Sequence, residues 1–145
     1  MGATNLPSIV TYDPSHFDGV RDLWREAFPD DPPWNAAEIA IPAKLKIQST
    51  LFLVAIDQGC VVGSIMAGYD GHRGWLYAAA VLQSHQRKGI GAALVREAEN
   101  RLSTMGCTKI NLQVRSSNTA VTRFYRSLGY EIEERVSMGK RLEQT

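Results

Sequence analysis

Residues Gln86, Arg87, Lys88, Gly89, Ile90 and Gly91 set two glycines and two cations at the junction between an apolar run and a helical periodicity. Glycine frees the backbone to turn sharply, so successive N–H groups at a helix start can converge on one ligand. The helix dipole and the flanking charges both favour an anion there, and phosphate is the natural guest. A plain strand-to-helix turn uses glycine too, and this stretch by itself leaves both readings open. The dinucleotide fingerprint Gly-x-Gly-x-x-Gly is not met, because Leu94 stands at the third glycine position.

The elements that must position this loop are legible on both sides of it. Residues 75–82 form a near-continuous apolar run of strand length, and Ile90, Leu94, Ala98, Leu102 and Met105 recur at helical spacing up to Gly106, a left-handed terminator. Upstream, residues 9–12 read as a strand. Asp13 or Ser15 then caps a helix whose apolar stripe is Phe17, Val20, Leu23, Trp24, Ala27 and Phe28. Three prolines in 29–35 stop it, and a second helix is expected over 36–48, kinked or split at Pro42. Strands at 51–56 and 61–67 are joined through Asp57, Gln58 and Gly59 as a hairpin, and residues 69–74 turn into the 75–82 strand. A strand at 108–115, a helix from 119 to 128 capped by Asn118 and ended at Gly129, and a last strand at 130–138 complete the order. Early hairpins followed by a βαβ unit predict one α/β (α+β) domain over 1–145. Its sheet is mixed, mostly antiparallel and twisted, with helices on both faces.

Composition excludes several classes. Sixteen Lys+Arg balance fifteen Asp+Glu to a net charge of +1, so no global field points to nucleic acid or an anionic membrane. Cys60 and Cys107 lie outside any Cys-x-x-Cys or His-rich setting, which predicts no metal site, no disulfide framework, and two reduced core thiols. No apolar run reaches membrane-helix length and no signal-like segment opens the chain, so the cytoplasm is the expected location. Met1-Gly2 lacks the Ser or Thr that myristoylation needs, Leu6 standing in its place.

Read as Gln-x-x-Gly-x-Gly, the loop resembles the coenzyme A pyrophosphate loop of the GNAT (Gcn5-related N-acetyltransferase) superfamily. Asn118-Thr119-Ala120-Val121-Thr122-Arg123-Phe124-Tyr125-Arg126-Ser127-Leu128-Gly129-Tyr130 resembles the family segment Asn-x-x-Ala-x-x-Phe-Tyr-x-x-x-Gly-Phe/Tyr. The likeness covers about residues 51–130 in the family's order. Tyr69-Asp70-Gly71-His72-Arg73-Gly74-Trp75, with Met138-Gly139-Lys140-Arg141-Leu142, looks like a bacterial subgroup of largely uncharacterised N-acetyltransferases.

The resemblance implies an enzyme that passes an acetyl group from acetyl-CoA to a primary amine by direct transfer in a ternary complex, without metal. It implies pantetheine contacts on the main chain of Ala79, Ala80 and Val81, with an N–H near Val81 polarising the thioester carbonyl. Pyrophosphate falls on N–H groups of Arg87, Lys88, Gly89, Ile90, Gly91 and Ala92, beside Gln86 where the family usually has Arg. Leu82-Gln83 replaces the consensus His-Pro. Tyr125 matches the general acid that protonates the departing sulfur, with packing as its other reading and Phe124 the expected core residue. Asn118 has two compatible jobs, helix cap and cofactor contact.

The general base is less legible. Ribosomal-protein acetyltransferases carry Glu where Gln113 stands, and an amide cannot take a proton. Asp70, His72 or Glu38 could serve through water, and solvent is the alternative. The acceptor pocket is expected between residues 29–35 and the start of the central strand, where Asp30, Asp31 and Asp70 could attract a cationic amine, whether a small molecule or a peptide or protein amine. A homodimer stays open. The competing reading, raised by Gln113, is a module of the same fold that binds acyl-CoA without turnover.

Overall fold

The computed structural model describes residues 6–143, so Met1-Gly2 lies outside the described residues. The chain divides into two compact units, 1–113 and 114–145.

The first unit holds a five-stranded sheet in sequence order: β1 (Ser8–Thr11), β2 (Phe52–Asp57), β3 (Cys60–Tyr69), β4 (Gly74–Val81) and β5 (Ile110–Leu112). The first four pair antiparallel and β5 joins β4 in parallel. Three helices accompany them, α1 (Phe17–Ala27), α2 (Ala37–Leu45) and α3 (Ile90–Thr104). Asp13 does cap the start of this region, accepting the Ser15 N–H at 2.7 Å, though on a 3₁₀ turn that precedes α1. The β2–β3 hairpin turns through Gln58 and Gly59 at φ 51° and 79°, the left-handed pair that matches the strands' twist.

Burial divides the sheet into two faces because side chains alternate along a strand. Phe52, Val54, Met66 and Ala80 pack with Val20, Leu23 and Trp24 of α1 and Ile41 of α2. Each such aliphatic or aromatic side chain contributes about 1.5–3 kcal/mol by leaving water. The other face receives α3, whose Leu94 approaches so closely that a Cβ on Gly63 would stand 3.0 Å from it. Helices therefore cover both faces, as the patterning predicts.

Two local expectations are corrected in this unit. α2 is not split at Pro42 but contains it, and it ends at Leu45 rather than 48, held by the burial of Ala37, Ile41 and Lys44. Cys60 is exposed rather than a core thiol, while Cys107 is partly buried; both are free.

The second unit contains α4 (Thr119–Ser127). Asn118 caps it, its side chain accepting the Val121 N–H at 3.2 Å, and Gly129 follows its end at φ 96°. The strand expected over 130–138 is absent. Ile132, Val136 and Met138 are 73%, 88% and 90% exposed there. Strand propensity does not make a strand unless a neighbouring edge takes up its backbone hydrogen bonds.

Candidate active site

The sheet is irregular at two places, between β2 and β3 at Ala55 and Ile56 and again in β4. The register of β4 with β3 shifts by one residue, from Met66 opposite Tyr77 to Ser64 opposite Ala80, so Ala78 and Ala79 share one partner position. Ala78 carries the bulge at φ 51°, a left-handed conformation uncommon for a residue with a side chain. The slip inverts the facing of the strand. Gly74 abuts Leu102 of α3, whereas Ala80 joins the α1–α2 cluster.

The bulge also decides which main-chain groups are offered to a ligand. Residues of an antiparallel ladder turn their amides to alternate sides. Leu82 N–H bonds Val62 C=O at 2.9 Å across the β3 side, so Val81 turns its own N–H and C=O to the opposite edge. β5 pairs with β4 over Gly74, Trp75 and Leu76, and residues 77–81 extend beyond that ladder. Of the three predicted pantetheine residues, Val81 thus faces this edge and Ala80 turns its amide toward Ser64. Ala79 sits half-buried in the bulge.

The glycine loop follows directly. Gln83 N–H donates to Glu26 Oε2 at 2.8 Å, and His85 Nε2 lies 3.0 Å from Asp57 Oδ2, so α1 and β2 both anchor the segment that leaves β4. Arg87 and Gly89 take left-handed conformations at φ 64° and 83°, and Gly89 caps α3 with no side-chain bond. The first intrahelical bond runs from Ala93 N–H to Gly89 C=O at 3.0 Å, which leaves the N–H groups of Ile90, Gly91 and Ala92 ahead of the helical ladder. These amides and the exposed Arg87 and Lys88 side chains lie on consecutive residues at the start of α3, where the helix dipole favours negative charge. Ile90 contributes its amide alone, since its side chain is buried beneath the helix. Gly91 is helical rather than part of the turn, and the second left-handed position belongs to Arg87.

At the other end of β4, Trp75 and Tyr77 are 39% and 45% exposed. Lys44 of α2 is buried beside them, its Nζ donating to Ala67 C=O and lying 5.6 Å from the Tyr77 ring centroid. Burial holds its pKa below the ordinary lysine value. Asp70 accepts the N–H groups of His72 and Arg73, both at 2.7 Å. These bonds, Arg73 first, keep its carboxyl below the usual carboxylate range and mark it as a turn former. Glu38 faces Arg25, at 3.7 Å. Among the expected base candidates, Asp70 and Glu38 therefore have structural partners and His72 is exposed, while Asp30 and Asp31, expected to attract the amine, are exposed as well.

In the second unit, Tyr125 is the buried residue of α4, meeting Phe124 and Tyr130 edge-on at 5.0 Å and 5.6 Å between ring centroids. This reverses the division expected from the sequence, with Tyr125 deeper than Phe124. Burial pushes its phenol above the ordinary tyrosine pKa, so it stays protonated at neutral pH. Asn118 spends its carbonyl oxygen on the helix cap.

Sequence reasoning passed over Ser64, Trp24 and Lys44. Ser64 had one signal, as the sole hydroxyl within the apolar stretch 61–67. Lys44 and Trp24 looked like ordinary helix residues.

A model of the acetyltransferase (GNAT) family matches residues 17–130. An acetyltransferase of Yersinia enterocolitica is 41% identical over 136 residues, covering 92% of this chain and 94% of that protein. An acetyltransferase of Sodalis glossinidius is 49% identical over 111 residues, covering 76% of this chain and 78% of that protein. Among solved structures, Ard1 from Thermoplasma volcanium superposes with a TM-score of 0.79 at 22% identity, over 87% of this chain and 83% of that one. AAC(6')-Iy, in complex with a bisubstrate analog of CoA and acetylneamine, does so with a TM-score of 0.79 at 19% identity, over 96% and 99%. Both share the fold.

Proposed function

Because the chain belongs to the acetyltransferase (GNAT) family, we propose that it moves an acetyl group from acetyl-CoA to a primary amine by direct transfer in a ternary complex. The observation that carries this reading is the continuity of donors along one path. Val81 turns its N–H to the edge of β4 beyond the β5 ladder, and the first-turn amides of α3 follow at the strand's C-terminal end. A long ligand with an acyl group at one end and a pyrophosphate farther on has the chemistry to match both.

Acetyl-CoA supplies the activated acetyl thioester. In this reading Arg87, Lys88, Gly89, Ile90, Gly91 and Ala92 hold the pyrophosphate, with Gln86 closing the loop behind it. Ala79 and Val81 align the pantetheine and the Val81 N–H polarises the thioester carbonyl, while Ala80 keeps the approach narrow with a small side chain. Tyr125 gives its proton to the departing sulfur, a role consistent with a phenol held neutral by burial. Asn118 starts the helix that carries it, with a cofactor contact as its second proposed job. The acceptor's proton passes to solvent, since the Asp70 carboxylate is bound to its own turn and stays ionised.

Thiol release from acetyl-CoA across a panel of peptide, polyamine and aminoglycoside amines tests the reading, together with thermal shifts by coenzyme A and by NAD. We expect thiol release with at least one amine, and stabilisation by coenzyme A but not NAD. Absence of any shift with coenzyme A in folded protein overturns the assignment. A shift with no thiol release from any amine supports the non-catalytic module instead.

A further inference from the structure

The bulge of β4 is held by a side-chain chain that no catalytic step uses. Trp24 Nε1 donates to Ser64 Oγ at 2.9 Å, and Ser64 Oγ donates to Ala78 C=O at 3.1 Å. Ser64 is fully buried and Trp24 nearly so. Their bonds join α1 to β3 and β3 to the one residue of β4 in a left-handed conformation. A side chain at positive φ is strained and persists where surrounding contacts demand it. The Ser64 hydroxyl reaches the carbonyl of the residue in that conformation, which places it to meet this demand.

Without that turn the register set by Met66 and Tyr77 would continue, and Gly63 would face Ala80 instead of Val81. The amide presented beyond the β5 ladder would then belong to Ala80. The side chains of the strand's second half would also exchange faces, driving Val81 into the α1–α2 cluster.

We propose that Ser64, oriented by Trp24, is a positioning residue: its hydroxyl locks the Ala78 bulge and so selects the Val81 N–H as the group that meets the thioester carbonyl. This rests on the acetyl-transfer reading for its chemistry, but the lock on the bulge is a property of the fold alone. Ser64→Ala leaves the Trp24 N–H buried without an acceptor, which destabilises the fold by itself. The double variant Trp24→Phe/Ser64→Ala removes donor and acceptor together and separates that loss from the positioning effect.

The test measures melting temperature, kcat and KM for acetyl-CoA, and amide hydrogen exchange at Ala80, in wild type and in both variants. Ser64→Ala is expected to lower kcat about 10- to 100-fold, less than the 10²–10³ of an oxyanion donor removed outright. KM for acetyl-CoA should move less than about threefold, since the α3 cradle is untouched. The double variant should regain melting temperature while kcat stays low and exchange at Ala80, whose amide faces Ser64 only while the bulge holds, stays fast. Recovery of both stability and kcat in the double variant overturns the proposal, as does wild-type kcat with wild-type exchange in Ser64→Ala. If the wild type itself releases no thiol, the acetyl-transfer reading fails separately. Exchange in the double variant then decides the lock, fast exchange supporting it and wild-type exchange overturning it.

Discussion

Gln86 Nε2 donates to the carbonyl of Val81 at 3.2 Å, so the residue that opens the glycine loop is tied back to the last residue of β4. That bond spans the interval between the acyl end and the phosphate end of the proposed donor path. Gln86→Leu removes the donor at an exposed site, and one exposed hydrogen bond is worth about 0.5–1 kcal/mol. The free protein should lose up to that amount of stability, and coenzyme A should bind about 2- to 5-fold more weakly because the loop is less ordered before binding. A thermal melt checks the first and titration calorimetry the second.

Gly89 sits at φ 83° with nothing within 4 Å of the place a Cβ would occupy. A larger residue therefore meets no steric neighbour, and the penalty of Gly89→Val is conformational, at about 1–2 kcal/mol. At about 100 times its dissociation constant, coenzyme A should stabilise the wild type by roughly 2.7 kcal/mol. In Gly89→Val that ligand-induced shift should largely disappear. A full shift in the variant would show that the loop's left-handed geometry is dispensable for binding.

Tyr125→Phe keeps the edge-on ring contacts with Phe124 and Tyr130 and removes the hydroxyl alone. Turnover should fall about 10²- to 10⁴-fold while affinity for acetyl-CoA changes little. A phenol raised by burial above its ordinary value of 10.0 donates throughout the neutral range, so this group should cause no loss of kcat below about pH 10. Steady-state kinetics of both proteins from pH 6 to 10 provide the check, and unchanged turnover in the variant would leave Tyr125 a packing residue.

Lys44 makes a pH-dependent prediction of opposite sense from a salt bridge. Burial lowers its folded-state pKa below 10.5, so between the two values the unfolded chain binds more protons and stability rises with pH. Below the folded value the lysine is charged in both states and the cost of burying it is fully present. Lys44→Met removes the titration. The melting temperature of wild type minus that of the variant should therefore increase as pH approaches 10.5, and a flat difference would overturn the assignment.

Much of the scaffold was legible in short stretches because the responsible forces are local. Gln58-Gly59, Gly89, Gly106 and Gly129 mark turns and helix ends through the sterics of their own φ angles, and Asn118 caps α4 through a hydrogen bond three residues long. The apolar periodicities of α1 and α3 foretold which faces would be buried, except at Ala27 and Met105 near their ends, which are exposed. These signals placed the glycine loop between β4 and the start of α3.

What the tertiary structure alone decided depends on partners far away in the chain. An apolar run at 75–82 has no parity of its own, and the slip at Ala78 follows from Ser64, brought to it from another strand and oriented by Trp24, forty residues distant from Ser64 in sequence. That slip, rather than any motif, turns Val81 to the open edge. Lys44 resembles a solvated helix residue until α2 lies against Ala67 and Tyr77. Residues 130–138 have the composition of a strand and form none, because strand pairing belongs to two edges at once and the sequence of one edge specifies only half of it.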